Sequence, residues 1–177
     1  ELMIDRGYQQ VTVADVLDRA GLSTRSFYRH FESKDRLLAD LLRREVDSVS
    51  RELDRAVADG ATPADSVHAW IDTFLDTFFE PRRAIRSSAF TTGDVLTASA
   101  LRDQLDEIRS TLCRSLVEAL AAGHATGALT SPLPALDAAC IFGLLTSAVQ
   151  THPRPSRTTT RHRILGFVDP ALGVDEA

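Results

Sequence analysis

The chain has 177 residues, of which 44% are hydrophobic and 25% charged, and a net charge of −5. That is the composition of an ordinary globular protein of one large or two small domains, not of a disordered chain. The acidic balance argues against a general nucleic-acid coat protein, though it leaves room for a small local basic surface.

No apolar run approaches the ~20 residues that cross a bilayer, so no membrane attachment is expected. The opening ELMIDRGY has no basic stretch followed by an apolar core, so no secretory signal is expected either. Cys113 and Cys140 have neither metal-ligand nor disulfide-framework spacing, which points to a reducing, cytoplasmic setting.

The first 36 residues are neutral, with six basic and six acidic side chains. Within residues 23–36 the balance turns positive: Arg25, Arg29, Lys34 and Arg36 against Glu32 and Asp35, with His30 in addition. This draws attention to one short segment.

In chain order the pattern is helical throughout, with no period-2 run bounded by hairpin residues. Residues 1–6 read as the tail of a helix stopped at Gly7. Thr12-Val13-Ala14-Asp15 is a capping box, and Val13, Val16, Leu17 and Ala20 form the apolar face of the short helix it starts. Gly21 breaks that helix, and Ser23 caps the next, which carries Phe27 and Phe31 at i, i+4. Ser33 is a third cap, with Asp35 in the first turn where the helix dipole favours an anion.

A long stripe follows: Leu38, Leu42, Val46, Val49, Leu53 and Val57, ended by Gly60. Thr62-Pro63-Ala64-Asp65 starts a helix with a wide apolar face: Val67, Trp70, Ile71, Phe74, Leu75, Phe78 and Phe79. Pro81 opens a shorter segment, and Thr91-Thr92-Gly93-Asp94 reads as a loop. Leu101, Leu105, Ile108, Leu112, Leu116 and Leu120 make another stripe, closed by Gly123 and Gly127. A small-residue-rich helix over roughly 134–150 and a last one near 157–168 complete an all-α chain.

Two short helices joined by a tight glycine turn have the size of a helix-turn-helix. Residues 12–20 would support, Gly21-Leu22-Ser23 would turn, and residues 24–31 would recognise. The second helix directs Thr24, Arg25, Ser26, Tyr28, Arg29 and His30 outward. These donor types reach phosphates and base edges. The same face also fits the solvated side of a small bundle, and composition alone leaves both readings open.

Gly7-Tyr8, Val11-Thr12-Val13, Ala20-Gly21-Leu22-Ser23, Ser26-Phe27-Tyr28-Arg29-His30-Phe31 and Ser33-Lys34, followed by Leu37-Leu38, form an ordered set of about thirty residues. This set resembles the DNA-binding signature of the TetR family of transcription regulators. The rest of the chain matches that family only in its pattern of helices.

The resemblance implies an N-terminal three-helix domain over residues 1–45, its first helix truncated here, joined by a long helix to a C-terminal effector-binding and dimerisation domain over 46–177. It implies that Thr12 and Ser23 cap their helices and donate to phosphates. Tyr28, His30 and Lys34 would hold the DNA backbone, and Thr24, Arg25, Ser26 and Arg29 would face base edges. Arg25 is the leading base reader, because arginine bonds guanine bidentately; the family often has a small residue there.

It further implies a homodimer on double-stranded operator DNA and a small-molecule effector that weakens DNA binding. Trp70, Phe74 and Phe78 are candidates for one wall of the effector pocket, with Leu105, Ile108 and Leu112 facing them; plain core is the competing reading. Ala139, Phe142, Gly143, Leu145 and Thr146, with Ile164, Leu165 and Val168, are candidates for the subunit interface. Internal packing competes there.

His68, His124, His152 and His162 lack metal-ligand spacing, and both cysteines read as buried small hydrophobes. Asp72 and Asp76 read as a polar helix edge. With no nucleotide, zinc-protease or other catalytic motif, no enzyme activity, cofactor or metal is expected. The rival from another class is a helical ligand carrier or interaction module that does not bind DNA.

Overall fold

A computed structural model describes residues 2, 10–81, 83–84 and 104–174. Every regular element among them is helical. The principal helices are α1 (Val13–Ala20), α2 (Thr24–Tyr28), α3 (Lys34–Ala58), α4 (Pro63–Phe79), α5 (Leu105–Ala125), α6 (Pro134–Gln150) and α7 (Arg157–Leu172). Gly7, Tyr8, the 91–94 segment and Leu101 lie outside the described residues.

The starts follow from local chemistry. The Thr12, Ser23, Ser33 and Thr62 hydroxyls each accept from the backbone N–H three residues on, satisfying a donor that an α-helix leaves unpaired. Gly21 ends α1 at φ +64°, a left-handed conformation a side chain would oppose. The recognition segment is shorter than the expected 24–31. Regular α2 ends at Tyr28, and His30 and Phe31 close turns on the Phe27 carbonyl. The last helix is longer than expected: Pro170 sits inside it, and Gly173 terminates it at φ +70°.

The main core is built by α3, α4, α5, α6 and α7 around side chains fully removed from solvent, among them Leu53, Trp70, Ile71, Leu75, Leu116, Leu120 and Leu145. Val11, Leu17, Phe27, Leu38 and Ala39 are buried separately at the N-terminal end. α3 therefore contributes to both.

The turn between α3 and α4 is tight. Ser66 Oγ donates to the Val57 carbonyl at 2.9 Å, capping the end of α3 from the first turn of α4. A Cβ at Gly60 would lie 2.6 Å from Ser66 N and 2.7 Å from its Cα, so the backbone itself leaves no room. At Gly143 nothing lies within 4 Å of such a Cβ. Gly60→Ala should therefore cost about 1–3 kcal/mol through backbone displacement. Gly143→Ala should leave the fold of the chain at least as stable, through helix propensity. Urea unfolding of the two variants measures the contrast.

Candidate nucleic-acid interface and effector cavity

α1 and α2 are held as a unit by their caps and by buried Leu17 and Phe27. Phe27 contacts the Tyr28 ring edge-on at 5.3 Å and Phe31 at 5.5 Å, so the apolar side of α2 is pinned. That fixes the opposite side in solvent: Thr24, Arg25, Tyr28, Arg29 and His30 are all exposed, and Ser26 is half-buried. Tyr28 is 58% accessible, unusual for so large a ring in a small domain. Arg29 Nε lies 3.3 Å from His30 Nε2, which sets the two side chains next to each other on this face.

Two residues expected at phosphates make polar contacts within the chain. The Thr12 hydroxyl accepts from Asp15 N at 3.2 Å and donates to Asp15 Oδ2 at 2.5 Å. A hydroxyl has one proton, and this one is committed within the cap. Lys34 is half-buried, and its Nζ donates to the Val11 carbonyl at 2.8 Å. Ser23 Oγ accepts from Ser26 N at 3.2 Å, an arrangement that uses its lone pair and not its proton.

A cavity of about 390 Å³ lies between α3, α4, α5 and α6. Phe74, Phe78, Leu105, Ile108 and Leu112 line it, as the sequence suggested. Leu42, Val46 and Val49 of the long α3 stripe form a further wall. Trp70 does not line it. The indole is fully buried one layer behind, stacked on Phe74 at 5.3 Å and 7°, with Nε1 donating to the Leu112 carbonyl at 3.3 Å. Burying the larger ring lets its N–H find a backbone partner and presents the smaller one to the cavity.

The expected interface residues divide. Leu145, Ile164 and Val168 are buried in this chain's own core, so they are not surface for a partner. Phe142 and Thr146 line the cavity, with Phe142 edge-on to Phe74 at 5.4 Å. Ala139 and Leu165 are half-buried, and Gly143 alone of the set is exposed. The apolar side chains that do face solvent are Leu136 and Leu144 of α6 and Phe167 of α7. The small-residue spacing gave the inner and outer faces of α6 equal weight.

Asp72 and Asp76 are more than a polar edge. Arg157 Nε donates to Asp76 at 2.5 Å, and Arg161 Nε to Asp72 at 2.7 Å, fastening α7 along α4. The Asp76 hydrogen bond is the main cause holding the Arg157 guanidinium above its ordinary pKa. His68 Nε2 meets Asp169 Oδ1 at 2.7 Å on the same edge.

Residues 1–41 match the family model of bacterial regulatory proteins, tetR family. The N-terminal segment is thus similar to the DNA-binding part of TetR-family regulators. The HTH-type transcriptional repressor KstR of Mycobacterium tuberculosis is 27% identical over 120 residues, 68% of this chain and 54% of its own. The HTH-type transcriptional activator FasR of Mycolicibacterium smegmatis is 32% identical over 76 residues, 43% of this chain and 35% of its own. The chain thus spans about half the length, or less, of these curated relatives. The fold is that of FadR from Bacillus subtilis, whose crystal structure holds stearoyl-CoA. The TM-score is 0.81 at 19% identity, covering 96% of this chain and 93% of that one. These relatives are transcriptional regulators. Among the described residues no helix is long and apolar enough to cross a membrane.

The two thiols separate sharply, contrary to the expectation that both are buried. Burial, partly offset by Arg109, pushes the Cys113 thiol up to about 11, whereas Cys140 is exposed on α6. Only thiolate alkylates, and a raised pKa keeps Cys113 protonated until the pH nears that value. Iodoacetamide at pH 8 should label Cys140 and spare Cys113 in the native protein. Mass mapping of labelled peptides checks this, and denaturant should abolish the difference.

Proposed function

We propose that this chain is a DNA-binding transcription regulator of the TetR family. On this reading it acts as a homodimeric repressor that a small, largely apolar effector releases from a two-fold symmetric operator. The observation that carries it is the exposed face of α2, where Thr24, Arg25, Tyr28, Arg29 and His30 stand in solvent over a pinned Phe27. Arginine and hydroxyl donors on a short helix after a glycine turn suit the major groove. Residues 1–45 would serve as the DNA-binding domain and residues 46–177 as the effector and dimerisation domain.

The effector site in this reading is the apolar cavity. Its volume is within the range of small-molecule sites, and Phe74, Phe78 and Phe142 suit aromatic or alkyl groups. The stearoyl-CoA held by Bacillus subtilis FadR supports an acyl chain as one kind of occupant for this fold. The second copy would pack on Leu136, Leu144 and Phe167, the exposed apolar residues of α6 and α7. Two-fold symmetry would set the recognition helices about 34–36 Å apart, one turn of DNA.

Selection from a random duplex pool tests the reading. The expected product is a two-fold symmetric site. Arg25→Ala should lose roughly 1–3 kcal/mol per half-site and relax preference at one or two base pairs. If the pool yields no enriched sequence, the chain is a ligand carrier or interaction module instead. Ile108→Trp should fill the cavity and abolish release by effector while operator affinity stays native. Release from the Trp variant at the native effector concentration would place the effector site elsewhere. Phe167→Glu should shift the dimer to monomer in light scattering.

A further inference from the structure

The hydroxyls of the cavity between α3, α4, α5 and α6 accept hydrogen bonds more readily than they donate them. Thr77 is 4% accessible and lines the cavity from α4. Its hydroxyl donates to the Phe74 carbonyl at 2.7 Å. Thr146 lines it from α6, and its hydroxyl donates to the Phe142 and Gly143 carbonyls at 2.9 and 3.1 Å. A hydroxyl has one proton and two lone pairs. Both protons are spent on the helix that carries them, so either hydroxyl must give up a backbone bond before it can donate to a ligand. Accepting from a ligand breaks nothing.

The charged lining points the same way. Among the described lining residues Glu45 and Asp106 are carboxylates and Arg109 is the single cation. Arg109 Nη2 donates to Asp106 Oδ1 at 3.0 Å. An anionic head group would have to share Arg109 with Asp106 and face Glu45 as well, and like charges brought together cost affinity. Gln150, at the exposed end of α6, can serve either kind of head group and so favours neither. A neutral acceptor such as an ester gains nothing from Thr77 or Thr146. A hydroxyl or ammonium group finds an acceptor in each.

We propose that the cavity selects an apolar molecule headed by a hydrogen-bond donor, an alcohol or an amine, over one headed by a carboxylate or an ester. This deepens the effector-cavity reading above and rests on it. Thr77 and Thr146 set the preference, while Phe74 and Phe142, in ring contact at 5.4 Å, pack the apolar body.

Four probes with a decyl or decanoyl chain test this in the DNA-free protein: decanol, decylamine, methyl decanoate and decanoate. At pH 7 the amine is a cation and the carboxylate an anion. Binding is followed by calorimetry and by the emission of Trp70, the sole tryptophan, which is stacked on the cavity residue Phe74. Decanol and decylamine should bind about fivefold tighter than methyl decanoate, the scale of one net hydrogen bond, and decanoate should bind weakest. The decanol–ester difference decides, because both are uncharged and the net charge of the protein does not enter. Thr77→Val and Thr146→Val each remove an acceptor and should shrink that difference, whereas Thr77→Ser should keep it. Ile108→Trp, which fills the cavity, should lose decanol altogether.

Methyl decanoate or decanoate binding as tightly as decanol, or a decanol–ester difference unmoved in both valine variants, overturns the proposal and leaves the cavity reading standing. If none of the four binds the native protein, or decanol still binds Ile108→Trp, the cavity reading falls and the proposal with it. Should Thr77→Val fail to fold, Thr146→Val decides.

Discussion

The continuity of α3 is the constraint on which the other features rest. A helix of 25 residues rises about 38 Å and has no internal joint unless proline or an inserted group breaks its ladder. Leu38 and Ala39 are buried at its N-terminal end, and Val46, Ser50 and Leu53 are buried further along. Two clusters of apolar side chains are thereby mounted on one rod. On the same rod Leu42, Val46 and Val49 face the cavity. A ligand pressing on those side chains presses on the element whose first residue is Lys34.

The helical plan was legible because its punctuation is local. Thr12, Ser23, Ser33 and Thr62 each satisfy an orphan N–H three residues away, a relation that sequence spacing exposes directly. The exposed face of α2 was legible for the same reason. Phe27 and Phe31 mark the inner side of one short helix, and what remains faces out. Helix ends were less so. The early close of α2 depends on turns into the Phe27 carbonyl, and the extension of α7 through Pro170 depends on the Gly173 cap.

Contacts between distant segments were not legible. Periodicity gives the face of a helix but not its depth, so Trp70 and Phe74 looked equivalent although one is core and the other cavity wall. It likewise could not separate Leu145, on the inner face of α6, from Leu144 beside it on the outer face. Lys34 presented a similar difficulty. Sequence spacing gives no sign that its ammonium reaches the Val11 carbonyl, 23 residues earlier.

The fastening of α7 to α4 has a consequence for alignment. Asp72 and Asp76 recur at the same four-residue interval as Arg157 and Arg161, so a slide of one helical turn would preserve an arginine–aspartate match. His68 and Asp169 have no such duplicate. One turn either way, His68 would meet Leu165 or Gly173, and Asp169 would meet Ala64 or Asp72. The arginine pairs therefore act as a repeating scale, and the histidine contact as its single index mark. Through that mark, the outer side of α7 bearing Phe167 is set against the helix whose other side faces the cavity.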